Sequence, residues 1–162
     1  MKITILGCGG SFGSPLAWKR NGKIDINNKR NFRTRSSILI EINKTNILID
    51  CSPDLRQQLY KAKCTNIDAV LFSHRHSDHT AGLPDMRAIS LINNKIIPAY
   101  LPIEMKNDLL SHYKYIFEGD IGYEPFMSLN LLENEFKIND ISISTFKHNH
   151  GSIDAQTFRI GN

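Results

Sequence analysis

The sequence contains no run of about 18 consecutive apolar residues, the length a membrane-spanning helix needs. Its start, MKITILGCGG, carries one lysine and only a very short apolar stretch before the glycines. A secretory leader needs an apolar region of roughly 7–15 residues, so this opening is expected to be a first β-strand. Cysteine is scarce. Cys8, Cys51 and Cys64 are odd in number and show no CxxC spacing. That argues against a disulfide framework and suits reduced thiols in a cytoplasmic protein. Glycines gather in GCGGSFGSP, but neither the strand–GxGxxG–helix nor the GxxxxGK(S/T) pattern is present, so a nucleotide cradle is a poor reading. Internal repeats, low-complexity tracts and linkers are also missing.

What is there is enough for one domain with a real core: 162 residues, 41% hydrophobic and 22% charged. The net charge of +4 is local. Lys19, Arg20, Lys23, Lys29, Arg30, Arg33 and Arg35 crowd between Trp18 and Arg35 against Asp25 alone. Such a segment attracts phosphates. No aromatic ladder interleaves the charges, however, and a solvated loop is the plainer reading.

Apolar alternation predicts a strand over 2–7, and spacing with β-branched content predicts strands over 37–42 and 46–50 joined as a hairpin. Ser52, Pro53 and Asp54 read as the N-cap, the first helical position and a partner for the positive helix end. Leu55, Leu59 and Ala62 then share one face of a helix ending near Cys64. Further expectations are a strand over 68–73, a helix over 81–92, a strand over 96–101 and a helix over 104–117. Strands over 128–133, 135–138 and 141–146 follow, with AQTFRIG beginning a last one. The mixture is a single α/β (α+β) domain over 1–162.

The chemistry concentrates in LFSHRHSDHTAGLPDMR, which holds His74, His76, Asp78 and His79 within six positions. The strand over 68–73 delivers His74 to its end, where rigid scaffolds display reactive side chains. Residues two apart in extended chain point the same way, so His74 and His76 converge on one ion. Asp78 and His79 sit a turn further on and aim at a neighbouring spot. Two metals about 3.5–4 Å apart, sharing a water that becomes hydroxide at neutral pH, fit this arrangement. Imidazole and carboxylate without thiolate suit Zn²⁺, Fe or Mn²⁺. The alternative is a set of surface histidines, but half of the chain's six histidines fall in this one cluster.

SHRHSDHTAGL resembles the HxHxDH motif of the metallo-β-lactamase superfamily. ITILGCGGSFGSP is similar to that superfamily's first strand and glycine-rich turn. NKRNFRTRSSILIE, ILIDCSPDLRQQL, GLPDMR and HNHGSIDAQTFRIG resemble the branch of phosphonate-pathway phosphodiesterases that act on cyclic ribose phosphates. The resemblance implies an αββα sandwich and a hydrolase using a metal-bound hydroxide on a small cyclic or nucleotide-like phosphodiester. It implies that His74, His76 and His150 hold the first metal and that Asp78 and His79, the candidate catalytic pair, bind the second. Asp50 would buttress the metal loop, as such sites require. Asp85 and Arg87 would lie by the pocket. His148 competes with His150, since HNH offers two imidazoles; the family places its ligand directly before the glycine, which favours His150.

Departures from the family pattern set further expectations. No cysteine lies in 14–35, so the cysteine-rich zinc site of some relatives is absent. Gln156 and Thr157 stand where relatives tend to have an apolar residue and a glycine. Relatives continue beyond the point corresponding to Asn162, supplying a bridging aspartate, another histidine and most of a second sheet. An incomplete, truncated sandwich is therefore expected, its second metal short of ligands and its first sheet's inner face and last strand unpartnered. Self-association or a complementary C-terminal polypeptide would cover that face. Two other readings stay open: an inactive or split metal-binding fragment, and an RNA 3′-end processing nuclease, for which the basic segment gives slight support.

Overall fold

A computed structural model describes residues 1–17 and 24–161 of the chain. Trp18, Lys19, Arg20 and Lys23 of the basic segment lie outside the described residues. The first sheet has the spatial order β1 (Lys2–Gly7), β2 (Ser37–Ile42), β3 (Thr45–Ile49), β4 (Ala69–Leu71), β5 (Ile97–Leu101), β6 (Met127–Leu131). The first three strands are antiparallel and the last three join in parallel. Connection length decides which. Asn43 and Lys44, both at positive φ, close β2 onto β3 as a two-residue hairpin. Each parallel step instead needs a crossover, supplied by α1 (Leu55–Ala62), α3 (Met86–Asn93) and α4 (Ile103–Glu118). β7 (Glu135–Ile138), β8 (Ile141–His150) and β9 (Ile153–Ile160) form a second, antiparallel sheet.

The two-residue period of the strands sorts the core into two layers. Leu39, Leu48, Val70 and Ala99 pack against Leu55, Leu59, Met86, Ile89, Met105 and Leu109 of the helices. Ile40, Ile47, Ala69 and Leu71, on the opposite face, meet Ile138, Ile141 and Ile143 of the second sheet. Tyr100 stacks on Phe136 across this interface with ring centroids 4.8 Å apart. Each fully buried Leu or Ile contributes about 1.5–3 kcal/mol. The result is three layers, helices–sheet–sheet, of the sandwich the motifs imply. The inner face of the first sheet is less bare than expected, because β7–β9 cover it. Exposure persists at its β1 edge, where Ile3 and Ile5, opposite Ile40 and Ile38, stay 60% and 67% accessible.

Boundaries differ from the sequence expectations for local reasons. α1 starts at Leu55, and Ser52 Oγ serves two partners before it, accepting the Asp54 N–H at 3.2 Å and donating to the buried Gln58 Oε1 at 2.8 Å. Gln58 Nε2 in turn donates to the Arg35 carbonyl at 2.8 Å. In place of the helix expected over 81–92 the chain forms a 3₁₀ turn at Leu83–Asp85 and then α3, preceded by the one-turn α2 (Ser77–Thr80). Pro84 has no N–H to continue a helix. Gly82 lies against Ser52 so closely that a Cβ there would stand 2.0 Å from its carbonyl oxygen. β8 runs on to His150 rather than stopping near 146, since its polar end pairs in register from Lys147–Gln156 to His150–Ile153. Among the described residues no helix is long and apolar enough to cross a membrane.

Candidate metal centre

The carboxyl ends of β3 and β4 lie side by side, and the site is built across them. Asp50 follows β3 with a φ of 61°, a left-handed conformation uncommon outside glycine. Ser37 Oγ donates to its carbonyl at 2.9 Å and helps hold it there. That backbone aims the side chain inward, where it is 4% exposed. Oδ1 accepts the Ser73 N–H at 2.8 Å; Oδ2 accepts Ser73 Oγ–H at 2.6 Å and His79 Nδ1–H at 2.7 Å. Three such bonds offset the cost of burying the charge.

α2 is only one turn, and its position comes from the chain on either side. The Cys51 N–H donates to the His79 carbonyl at 2.8 Å, and the Gly82 N–H to the Cys51 carbonyl at 2.9 Å. The loop after β3 thus grips the turn carrying Asp78 and His79.

One nitrogen from each of His74, His76 and His150 lies within 4.8 Å of the other two. His74 Nε2 is 3.1 Å from His76 Nδ1. The His150 ring arrives from the end of β8, its centroid 4.7 Å from that of His74 and 5.6 Å from that of His76. A second donor set adjoins the first. His79 lies beside His74, the rings tilted by 51° with centroids 4.0 Å apart, and its Nε2 lies 3.2 Å from Asp78 Oδ2. Burial lowers the His74 pKa to about 4, and the nearby His79 reinforces the shift against the pull of Asp50. His74 is therefore neutral at pH 7, the form that ligates metal. Burial also acts to lower His79, but its bond to Asp50 and the charges of Asp50 and Asp78 outweigh this and raise it.

These donors fit a metal. Two imidazole nitrogens facing each other at 3.1 Å share at most one proton, whereas an ion engages both lone pairs at once. Three histidines are a sufficient protein set for tetrahedral Zn²⁺, at about 2.0–2.1 Å per bond. Asp78 and His79 give a second position two donors.

Other candidates lie elsewhere. His148 is exposed, its Nδ1 3.0 Å from Thr157 Oγ1, and is not among the three converging imidazoles. The Arg87 guanidinium sits over the Tyr123 ring, 4.4 Å from its centroid. Asp85 lines a groove between α1 and α3 with Arg56, Lys63 and Ile89. Ser73 escaped the sequence reading, although its hydroxyl directly precedes the first histidine. A cavity of about 270 Å³ beside His74 escaped it too. Arg75, Glu104, Met105, Ile153, Asp154 and Gln156 line it, and they come from three separate segments with no shared linear pattern.

The sequence pattern of the β-lactamase superfamily domain matches residues 45–161, the stretch that carries every donor just described. The chain belongs to the metallo-β-lactamase superfamily. Among similar proteins, the octanoyltransferase of Porphyromonas gingivalis is 31% identical over 166 residues, 99% of this chain and 33% of that protein. Ribonuclease Z of Methanopyrus kandleri is 26% identical over 129 residues, 74% of this chain and 41% of that one. A diphosphatase from the PhnP family superposes with a TM-score of 0.86 at 24% identity, covering 98% of this chain and 62% of that one. The superfamily fold is thus shared along nearly the whole chain, while the chain spans between a third and less than two thirds of these relatives.

Proposed function

We propose that this superfamily hydrolase cleaves phosphodiester bonds of small cyclic or nucleotide-like substrates in the cytoplasm, using Zn²⁺ or Mn²⁺. The observation that carries the reading is the convergence of His74, His76 and His150 beside Asp78 and His79. His74, His76 and His150, with Asp78 and His79 beside them, would hold a divalent ion, which would supply an activated water and electrostatic stabilisation of charge on the phosphoryl group. The residues of the chain hold the ion and orient the substrate. The cavity next to His74 has the volume of a small ligand, with Arg75, Asp154 and Gln156 for polar contacts and Met105 and Ile153 for apolar ones. Cleavage at phosphorus agrees with the names of two similar proteins, a diphosphatase and a ribonuclease. Octanoyl transfer is not carried over, because the chain aligns with only a third of that relative.

Within this proposal the Asp78–His79 position is completed by a complementary polypeptide or a second copy of the chain. Metal counting separates the outcomes: two ions per chain with turnover support a self-sufficient enzyme, and one ion without turnover supports a fragment that needs its partner. The direct test is hydrolysis of bis(p-nitrophenyl) phosphate with added Mn²⁺ or Zn²⁺. Activity that survives in a His76→Ala, Asp78→Ala double variant overturns the site.

A second reading, RNA 3′-end processing, draws on the ribonuclease Z relative and on the exposed Lys29 and Arg30. Binding of tRNA that falls steeply with salt would favour it over the small substrate.

A further inference from the structure

We infer that Ser73 is a positioning residue through which one buried carboxylate, itself bonded directly to His79 of the second ion position, also orients His74 of the first. The inference rests on the metal-site reading above and on the direction of the hydrogen bonds around Ser73. A carboxylate only accepts, so at 2.6 Å the single hydroxyl proton of Ser73 must point to Asp50 Oδ2. The hydroxyl oxygen can then only accept from His74 Nδ1, 2.9 Å away. The reverse orientation would set two acceptor lone pairs against each other across 2.6 Å. His74 therefore carries its proton on Nδ1 and presents the Nε2 lone pair to His76 and the ion position.

The same carboxylate oxygen accepts from His79 Nδ1, which leaves His79 Nε2 facing Asp78. One acid thus selects the tautomer in both donor sets, directly for His79 and through Ser73 for His74. The Ser73 backbone extends the effect to the third ligand. Its N–H is held by Asp50 Oδ1 at 2.8 Å, and its carbonyl accepts the Gln156 N–H of β9 at 2.8 Å. β9 is hairpin-paired to β8, whose last residue is His150. Every polar atom of Ser73 is therefore engaged: its N–H and hydroxyl proton on Asp50, its hydroxyl oxygen on His74 and its carbonyl on Gln156 of β9.

The test compares Ser73→Ala and Ser73→Thr in the full chain, measuring Zn²⁺ affinity by chelator competition and the imidazole tautomers by ¹⁵N NMR without metal. Ser73→Ala is expected to weaken Zn²⁺ by about 10- to 100-fold, the usual effect of removing a partner of a ligating histidine. Ser73→Thr keeps the hydroxyl and is expected to restore most of that affinity. In the unsubstituted chain, NMR should show the His74 proton on Nδ1. Should Ser73→Ala not fold, that last measurement decides alone. A His74 proton found on Nε2, Zn²⁺ affinity unchanged in Ser73→Ala, or a folded Ser73→Thr that binds as poorly as the alanine variant would each overturn the inference. None of these readouts depends on turnover, so the positioning role and the phosphodiesterase reading fail separately.

Discussion

Asp50 Oδ2 and His79 Nδ1 lie 2.7 Å apart, with the acid 4% exposed and held at a φ of 61°. A charged, almost inaccessible group on strained backbone persists only where its surroundings hold it. Here those surroundings are His79, one of the candidate metal ligands, with Ser73 and Ser37.

Replacing Asp50 by alanine leaves the His79 and Ser73 donors without their acceptor. Each buried donor left unpaired costs about 1–3 kcal/mol, and metal affinity is expected to drop about 10- to 100-fold. Asp50→Asn tolerates the left-handed backbone and should lose less stability while still binding metal poorly. Urea unfolding and chelator competition on both variants check the two effects separately.

Gly82→Ala tests the grip on α2. The new Cβ would meet the Ser52 carbonyl oxygen at 2.0 Å and Leu55 Cβ at 2.9 Å, and neither is the far end of a flexible side chain. Overpacking of this kind costs about 1–3 kcal/mol. Relief requires moving the turn that carries Asp78 and His79, so metal binding should fall together with the thermal midpoint.

Acid should weaken the fold in part through Asp68. Burial acts to raise its carboxyl pKa, but the Lys95 ammonium at 2.6 Å, the Asn46 N–H at 2.8 Å and Asn66 outweigh it and hold the pKa below 3.8. A carboxylate with a lowered folded pKa stabilises above its unfolded value, and that stabilisation is lost as pH falls through the folded value. Denaturant midpoints should therefore decline below about pH 4. Asp68→Asn should start less stable at neutral pH and show a flatter decline.

Thiol labelling reads the burial pattern. Cys8 is exposed and should react promptly at pH 8. Burial pushes the Cys51 thiol well above 9.0, and the charges of Asp50 and Asp85 add to this, so Cys51 should react only on unfolding. Cys64, half-buried and donating to the Asn66 carbonyl at 3.2 Å, should fall between the two. A chromogenic disulfide reagent followed in native buffer and in denaturant distinguishes the three.

Much of this protein was determined locally, and so was legible. Short β-branched and apolar runs bounded by turn residues marked the strands of the first sheet, because strands covered on both faces read as nearly continuous apolar stretches. HRHSDH nominated a candidate metal site on composition and spacing alone, since three imidazoles and an acid rarely crowd together in an ordinary core. His150 could be nominated only from its place before Gly151. Only the register of β8 on β9 and the docking of Gln156 onto Ser73 bring His150 to His74. Contacts between segments far apart in the chain leave no period or spacing to read. That is why Ser73, the cavity by Arg75, the break at Gly82 and the length of β8 all came from the tertiary structure. The sequence by itself determined which side chains could hold a metal; the packing of two sheets decided which of them meet, and which carboxylate holds them there.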